Sequence, residues 1–331
     1  MDCQLLQIDA ESVSRSARAA AASLPEAKAG AFKRLLPFFV TEPVLDTLPM
    51  SFLPMGDKGS VSGDVLHDLA VAGKLVYAHI RWLDDLADES RPGGPGWSVH
   101  ALSEALSTLA RTKFERVLGP SRAAQFLSTL AQLYARYATS LAFDAASRAY
   151  SGHLTLDDYV EHAKARSAPV RAPVDAVLLL VGAPEDRTEE ARSCFEWCVA
   201  GLQLYDDAVD VEEDFTEGRL SWVVSATLCA LDGRGLEEAP DVDLFYETAL
   251  AEGFLMRNLA AAERFFQKSL SLAGSSFPNC VDLLNAMSRH TREYRNDLQR
   301  LVTEILGGDE RDRTVDRRWN TIATWSQARL R

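Results

Sequence analysis

Basic residues are the minority charge in this chain: 35 Lys and Arg stand against 48 Asp and Glu, a formal charge of -13 over 331 residues. A protein that binds by neutralising phosphates needs the opposite balance, which excludes a nucleic-acid partner and a basic membrane-surface module. Cysteine is scarce and odd in number, at Cys3, Cys194, Cys198, Cys229 and Cys280. Cys194 and Cys198 enclose three residues where redox and zinc knuckles enclose two, so the thiols read as reduced, mostly buried small apolar groups. No apolar stretch approaches the ~18 uncharged residues that cross a bilayer. The longest, 172–183, is interrupted by Asp175. The start, Met1-Asp-Cys-Gln-Leu-Leu, lacks the basic opening and apolar core of a signal peptide. These absences lead to the expectation of a cytoplasmic protein with no stable membrane insertion.

Strand-like alternation is almost missing too, as are solenoid repeats and low-complexity tracts. What is present is helical periodicity punctuated by proline and glycine. Residues 11–35, rich in Ala, Leu, Lys and Arg, predict a helical hairpin. Residues 37–63, with Pro37, Pro43, Pro49, Pro54 and three glycines, predict an irregular crossing. From Asp64 to about Glu89, Leu66, Leu69, Ala70, Leu75, Val76, Ile80 and Leu83 recur at helical spacing. Pro92 to Gly96 then stop the helix in a loop. Further helices are predicted near 99–117, 121–149, 155–182, 187–216, 219–231, 241–273, 278–306 and 314–330. No composition-shifted linker separates them, so 1–331 is expected to be one all-α domain, a helical bundle with its core at about 30–305.

Two acidic runs stand out against this background. Asp84-Asp85-Leu86-Ala87-Asp88 occupies the last turns of the long helix, where Asp84 and Asp88 share a face. Like charges at that spacing destabilise a helix by roughly 0.2–0.5 kcal/mol, and the macrodipole disfavours anions at a C-terminus. The second run, Asp206-Asp207-Ala208-Val209-Asp210-Val211-Glu212-Glu213-Asp214, puts Asp206, Asp210 and Asp214 in one row at i, i+4 and i+8. Either run alone is compatible with a solvated helix face. Both, however, share the order Asp-Asp-x-x-Asp and sit among apolar residues such as Trp82, Leu83, Leu86, Leu202 and Leu204. Opposed across a bundle, two such faces could hold Mg²⁺ ions and through them a diphosphate. A calcium loop lacks its glycine here, and a di-iron bundle lacks any Glu-x-x-His.

These paired motifs resemble those of the trans-isoprenyl diphosphate synthase and class I terpene synthase superfamily. The segment GLQLYDDAVDVEEDFTEGRLSWVVSATL, from Gly201 to Leu228, is similar to the second aspartate-rich region of prenyl diphosphate synthases. The resemblance implies the isoprenoid synthase fold, a prenyl diphosphate substrate and Mg²⁺ as cofactor, about three ions. Asp84, Asp85 and Asp88 would hold two ions, and Asp206, Asp210 and Asp214 a third, with Asp207 in a larger role in a prenyltransferase. A homodimer is the assembly the superfamily often forms. Lys164 and Arg166, before the Pro169 and Pro173 break, resemble the diphosphate-binding lysine of prenyl synthases and the diphosphate-sensing arginine of cyclases. Arg292, Tyr294 and Arg295 could grip the diphosphate late in the chain, or pair with acids on an exposed face. Tyr77, Trp82, Phe143, Phe195, Trp197 and Trp222 are candidates for an aromatic wall around a carbocation, or ordinary core.

Elongating members carry a Gly-Lys-x-Arg segment and an Arg-Arg-Gly after the first motif. Here the corresponding stretches are Gly56-Asp57-Lys58-Gly59-Ser60 and Arg91-Pro92-Gly93-Gly94. The leading expectation is therefore a terpene synthase that ionises a linear prenyl diphosphate and releases a hydrocarbon or alcohol. The alternative is a trans-prenyltransferase using isopentenyl diphosphate or another acceptor. A non-catalytic helical subunit is the third reading, which has no use for like-charged aspartates kept side by side.

Overall fold

A computed structural model describes residues 9–24, 32–40, 43–54, 61–88, 97–147, 154–232 and 241–307. Among the described residues there are helices and turns and no strand, as the periodicity predicts. The longer helices are α1 (Ala10–Ala22), α2 (Gly63–Asp88), α3 (Trp97–Ser147), α4 (Leu156–Arg166), α5 (Ala172–Val181) and α6 (Glu185–Val209). They continue as α7 (Val211–Glu217), α8 (Trp222–Asp232), α9 (Val242–Ala251), α10 (Phe254–Ala273) and α11 (Pro278–Gly307). No described helix is long and apolar enough to cross a membrane. The expected loop at 92–96 and the helix at 314–330 lie outside the described residues.

Punctuation residues act as their chemistry requires. Gly119, with φ 72°, breaks α3 just before Pro120, because a positive φ is open chiefly to glycine and proline cannot continue the ladder. Pro169 and Pro173 turn the chain after α4 through a 3₁₀ segment, Ala168–Arg171, before α5 begins. Two expectations are corrected. The 37–63 crossing contains helical turns at Leu36–Phe39, Pro43–Asp46 and Leu48–Ser51, since proline at a first helical position is compatible with starting a turn. The single helix at 241–273 is two, split at Gly253 with φ 71°.

The chain forms two compact units. One comprises Met1–Ala145, Lys164–Glu196 and Ser269–Leu284, the other Ala146–Ala163, Trp197–Lys268 and Asn285–Arg331. In the first unit α2 is central, packed by α1, the 36–51 turns and α5. It is buried on every side from Leu69 to Val76, the mark of a helix enclosed by neighbours. A side chain at Gly73 would meet Pro173 Cγ at 2.8 Å, so glycine there sets how closely α2 and α5 approach. Lys74, in the same stretch, is fully buried and reaches Asp46 Oδ1 at 3.2 Å and the Val40 carbonyl at 2.6 Å, while Ser14 donates to Asp46 Oδ2 at 2.9 Å. Asp175 accepts from Arg171 and Arg192 at 3.1 and 3.0 Å, and Glu196 from Arg171 and Arg136 at 3.0 and 2.6 Å. These bonds staple α3, α5 and α6 around the proline break.

In the second unit α7, α8 and α9 pack together, with Phe215 stacked on Phe245 at 4.0 Å. Gly201 of α6 lies where a Cβ would strike the Phe266 ring of α10 at 2.8 Å.

Two predictions follow from the first unit. Gly73→Ala forces α2 and α5 apart and should lower unfolding free energy by about 1–3 kcal/mol in urea titrations, whereas an unchanged midpoint would contradict the close contact. The second concerns His79, buried with Nδ1 2.8 Å from Ser103 Oγ. Burial lowers its pKa below 6.5, with Glu104 opposing and Arg111 reinforcing. The unfolded chain therefore takes up the proton first, and stability falls as pH drops from about 7 through 6.5 towards the native value. His79→Gln should flatten the fall in urea midpoint between pH 7 and pH 5, and identical pH slopes would show that His79 is not its source.

Candidate active site

The first aspartate segment closes α2. Asp84 is 6% exposed, although it carries a carboxylate. Tyr137, in the part of α3 after the Gly119 break, donates its hydroxyl to Asp84 Oδ1 at 2.7 Å, and the Ile80 carbonyl lies 3.0 Å from the same hydroxyl. Arg166 places Nη2 3.5 Å from Asp84 Oδ2. Burial, and then the Asp84 charge, push the Tyr137 phenol well above the usual tyrosine range, so it stays a donor. Arg166 is the last residue of α4, where the helix dipole favours a cation. The 3₁₀ turn behind it fixes that end, with Lys164 buried one half-turn earlier. The side chains of Asp85 and Asp88 lie outside the described residues.

The second segment is a bend where one continuous helix was expected. α6 ends at Val209, Asp210 adopts φ -100° and ψ 15°, and α7 starts at Val211. Asp210 N–H still donates to the Asp206 carbonyl, and Asp214 N–H to the Asp210 carbonyl, both at 2.8 Å. The i, i+4, i+8 row therefore survives the bend. Asp206 and Asp210 are exposed; Asp214 is buried, 3.9 Å from Arg219. Partial desolvation, with Glu213 adding to it and Arg219 opposing, raises the Asp210 carboxyl above its ordinary pKa.

Asp207, expected beside these as a ligand, points inward. Its Oδ1 accepts from Tyr159 and Gln203, each at 2.9 Å, and Oδ2 has no hydrogen-bond partner among the described residues. Burial holds its pKa well above the carboxylate range, with Gln203 and Tyr159 opposing and Asp214 and Asp206 adding to the rise.

The late arginines are engaged elsewhere. Arg292 contacts Glu263 Oε1 at 2.6 Å through Nε and Nη2, and Arg295 contacts Oε2 at 2.8 Å, tying α11 to α10. Tyr294 is buried, its ring 5.9 Å from Tyr205, the residue before Asp206. His290 Nε2 lies 3.0 Å from the Tyr205 hydroxyl. Among the expected aromatics, Phe195 belongs to a core cluster, 6.2 Å from Phe52, which is itself 5.8 Å from Phe277. Trp197 stacks near Phe265 under Lys268, and Trp222 meets Phe254 edge-on. Trp82 is buried, while Tyr77 and Phe143 are half-buried.

Tyr137, Tyr159 and Glu263 were not singled out from the sequence. Gln203 carried a signal, four residues before Asp207 on one helix face. Tyr137 lies 53 residues from Asp84, and no local pattern joins them.

Among the described residues, no three His, Cys, Asp or Glu side chains converge as a preformed cage. Asp206 and Asp210 nevertheless fit Mg²⁺: they are hard oxygen donors, accessible and one helical turn apart. This ion keeps several waters and is held by one or two carboxylates together with substrate phosphates.

The fold that carries these two segments is the all-α isoprenoid synthase fold. A geranylgeranyl pyrophosphate synthetase from the archaeon Geoglobus acetivorans matches with a TM-score of 0.70 at 14% identity, over 86% of this chain and 97% of its own. A polyprenyl synthetase from Streptomyces coelicolor A3(2) matches with 0.67 at 16% identity, over 88% and 99%. A geranylgeranyl pyrophosphate synthase from Corynebacterium glutamicum, solved with isoprenyl diphosphate and magnesium, matches with 0.63 at 13% identity, over 86% and 99%. No protein-family model matches the chain, and no curated protein matches it.

Removing one donor from Asp207 tests the inward-facing arrangement. Tyr159→Phe should cost about 1–3 kcal/mol of stability by urea unfolding, whereas no loss would place Asp207 outside the buried network.

Proposed function

We propose that this chain is a Mg²⁺-dependent enzyme of isoprenoid synthesis acting on an allylic prenyl diphosphate, and that it is a trans-prenyltransferase. The observation that carries the reading is the exposed Asp206 and Asp210 pair at the α6–α7 bend of an isoprenoid synthase fold. The cyclase favoured on sequence grounds gives way to its alternative because the three matching structures reported above are prenyl synthases by name. The Gly56–Ser60 and Arg91–Gly94 departures that weighed against elongation lie outside the described residues.

Asp206 and Asp210 bind Mg²⁺ in this proposal, as do Asp84, Asp85 and Asp88; Asp214, behind Arg219, and Asp207, turned inward, support the segment. When bound, Mg²⁺ takes up the negative charge developing on the departing diphosphate. Lys164 and Arg166 hold diphosphate oxygens, and a guanidinium suits this because two of its N–H groups can donate side by side. Arg292 and Arg295 are assigned to the α10–α11 contact through Glu263, with Tyr294 backing Tyr205. Trp82, Tyr77, Phe143, Trp197 and Trp222 are the candidates to shield a carbocation from water, while Phe195 is committed to its core cluster. A cyclase is the second reading: the i, i+4, i+8 spacing of Asp206, Asp210 and Asp214 resembles that of the second metal motif of terpene cyclases, and its backbone register persists through the bend.

Incubation with Mg²⁺ and ten-, fifteen- or twenty-carbon allylic diphosphates, with and without isopentenyl diphosphate, separates the two by chromatography and mass spectrometry. A longer diphosphate is the expected product. A hydrocarbon or alcohol formed without the second substrate would establish the cyclase instead, and no turnover of either kind would refute both. Asp206→Ala should lower kcat/KM by about 100-fold or more, since the charge stabilisation at stake is several kcal/mol.

A further inference from the structure

We propose that Tyr137 is a positioning residue for Asp84, fixing which carboxylate oxygen is presented to an incoming divalent cation; this rests on the reading of Asp84 as a metal ligand. Tyr137 is 2% exposed and its hydroxyl has one proton and two acceptors in reach, Asp84 Oδ1 at 2.7 Å and the Ile80 carbonyl at 3.0 Å. The charged acceptor gives the shorter and stronger bond, so the proton goes to Asp84. The Ile80 carbonyl lies within α2 and keeps the phenol aimed at that helix. Oδ1 is thereby committed inside the protein.

The other oxygen is held differently. Oδ2 faces Arg166 at 3.5 Å, a longer pair whose arginine side chain is 29% exposed. A cation reaching Asp84 therefore competes with an accessible ion pair at Oδ2 and with a buried phenol at Oδ1. Tyr137 fixes the carboxylate rotamer and leaves Oδ2 as the ligating atom. Hydrogen-bond partners of metal ligands commonly change affinity 10–100-fold when removed. A purely structural tyrosine would change stability and leave metal affinity alone.

The test uses Mn²⁺ with inorganic pyrophosphate, its binding read by electron paramagnetic resonance without prenyl substrate. Tyr137→Phe should raise the Mn²⁺ Kd about tenfold, and Asp84→Asn at least as much. Unchanged affinity in Tyr137→Phe with impaired Asp84→Asn overturns the positioning role alone. Unchanged affinity in Asp84→Asn overturns the assignment of Asp84 itself. Should the phenylalanine variant not fold, 3-fluorotyrosine placed only at position 137 keeps the hydroxyl. Its fluorine resonance should move on addition of Mg²⁺ and pyrophosphate, and should not move in an Asp84→Asn background. A resonance indifferent to the ligands in both proteins overturns the proposal.

Discussion

An aspartate inside a helical bundle must find donors, because the water that would otherwise solvate it has been removed. Much of the internal wiring of this chain answers that constraint. Asp46 and Asp175 are met by cations, Lys74 in one case and Arg171 with Arg192 in the other. Asp207 is met, among the described residues, by the neutral donors Tyr159 and Gln203, and burial holds its pKa well above the usual carboxylate range. Asp84 combines a neutral phenol on one oxygen with an arginine on the other. In general a cation nearby favours the ionised form of a carboxyl, while burial beside neutral donors and other acids disfavours it. Adjacent residues in one motif, Asp206 and Asp207, thus differ in kind: one is exposed to solvent, the other an internal strut.

The same constraint explains the bend at Asp210. A single helix through residues 187–216 would carry five further acids beyond Asp206 within its last turns, where the dipole opposes them. Ending α6 at Val209 and restarting at Val211 places Glu212, Glu213 and Asp214 in the first turn of α7, where the dipole favours them. Only the beginning of the run remains at an unfavourable helix end. No proline or glycine marks this break, so periodicity read it as uninterrupted helix. The carbonyl bonds from Asp206 to Asp214 keep the i, i+4, i+8 backbone register across the bend.

Legibility in the sequence followed the range of the interaction. Breaks caused by local backbone chemistry were readable at Gly119-Pro120, at Pro169 with Pro173, and at Gly182. Gly253 was passed over because the apolar period on either side is strong enough to bridge one residue. The turns between Leu36 and Ser51 were hidden because proline reads as a helix breaker unless its place at a helix start is known. Tyr137 and Tyr159 could not be found at all: each meets its aspartate only after separate helices have packed. Glu263 was missed for the same reason, and with it the reason that Arg292 and Arg295 are already occupied.

Fold and aspartates bear on function by separate routes, and their conjunction is stronger than either. A helical bundle asks of its sequence only apolar periodicity, suitable breaks and a few tight contacts such as Gly73 on Pro173 and Gly201 on Phe266. Such requirements can be met by very different sequences, which is how a TM-score of 0.70 coexists with 14% identity. Exposed Asp206 and Asp210 are not among those requirements. Like charges one turn apart at a helix end oppose stability. In the proposed reading that cost is offset by cation binding: the two carboxylates are accessible hard oxygen donors, and one structure matched in shape was solved with magnesium and isoprenyl diphosphate.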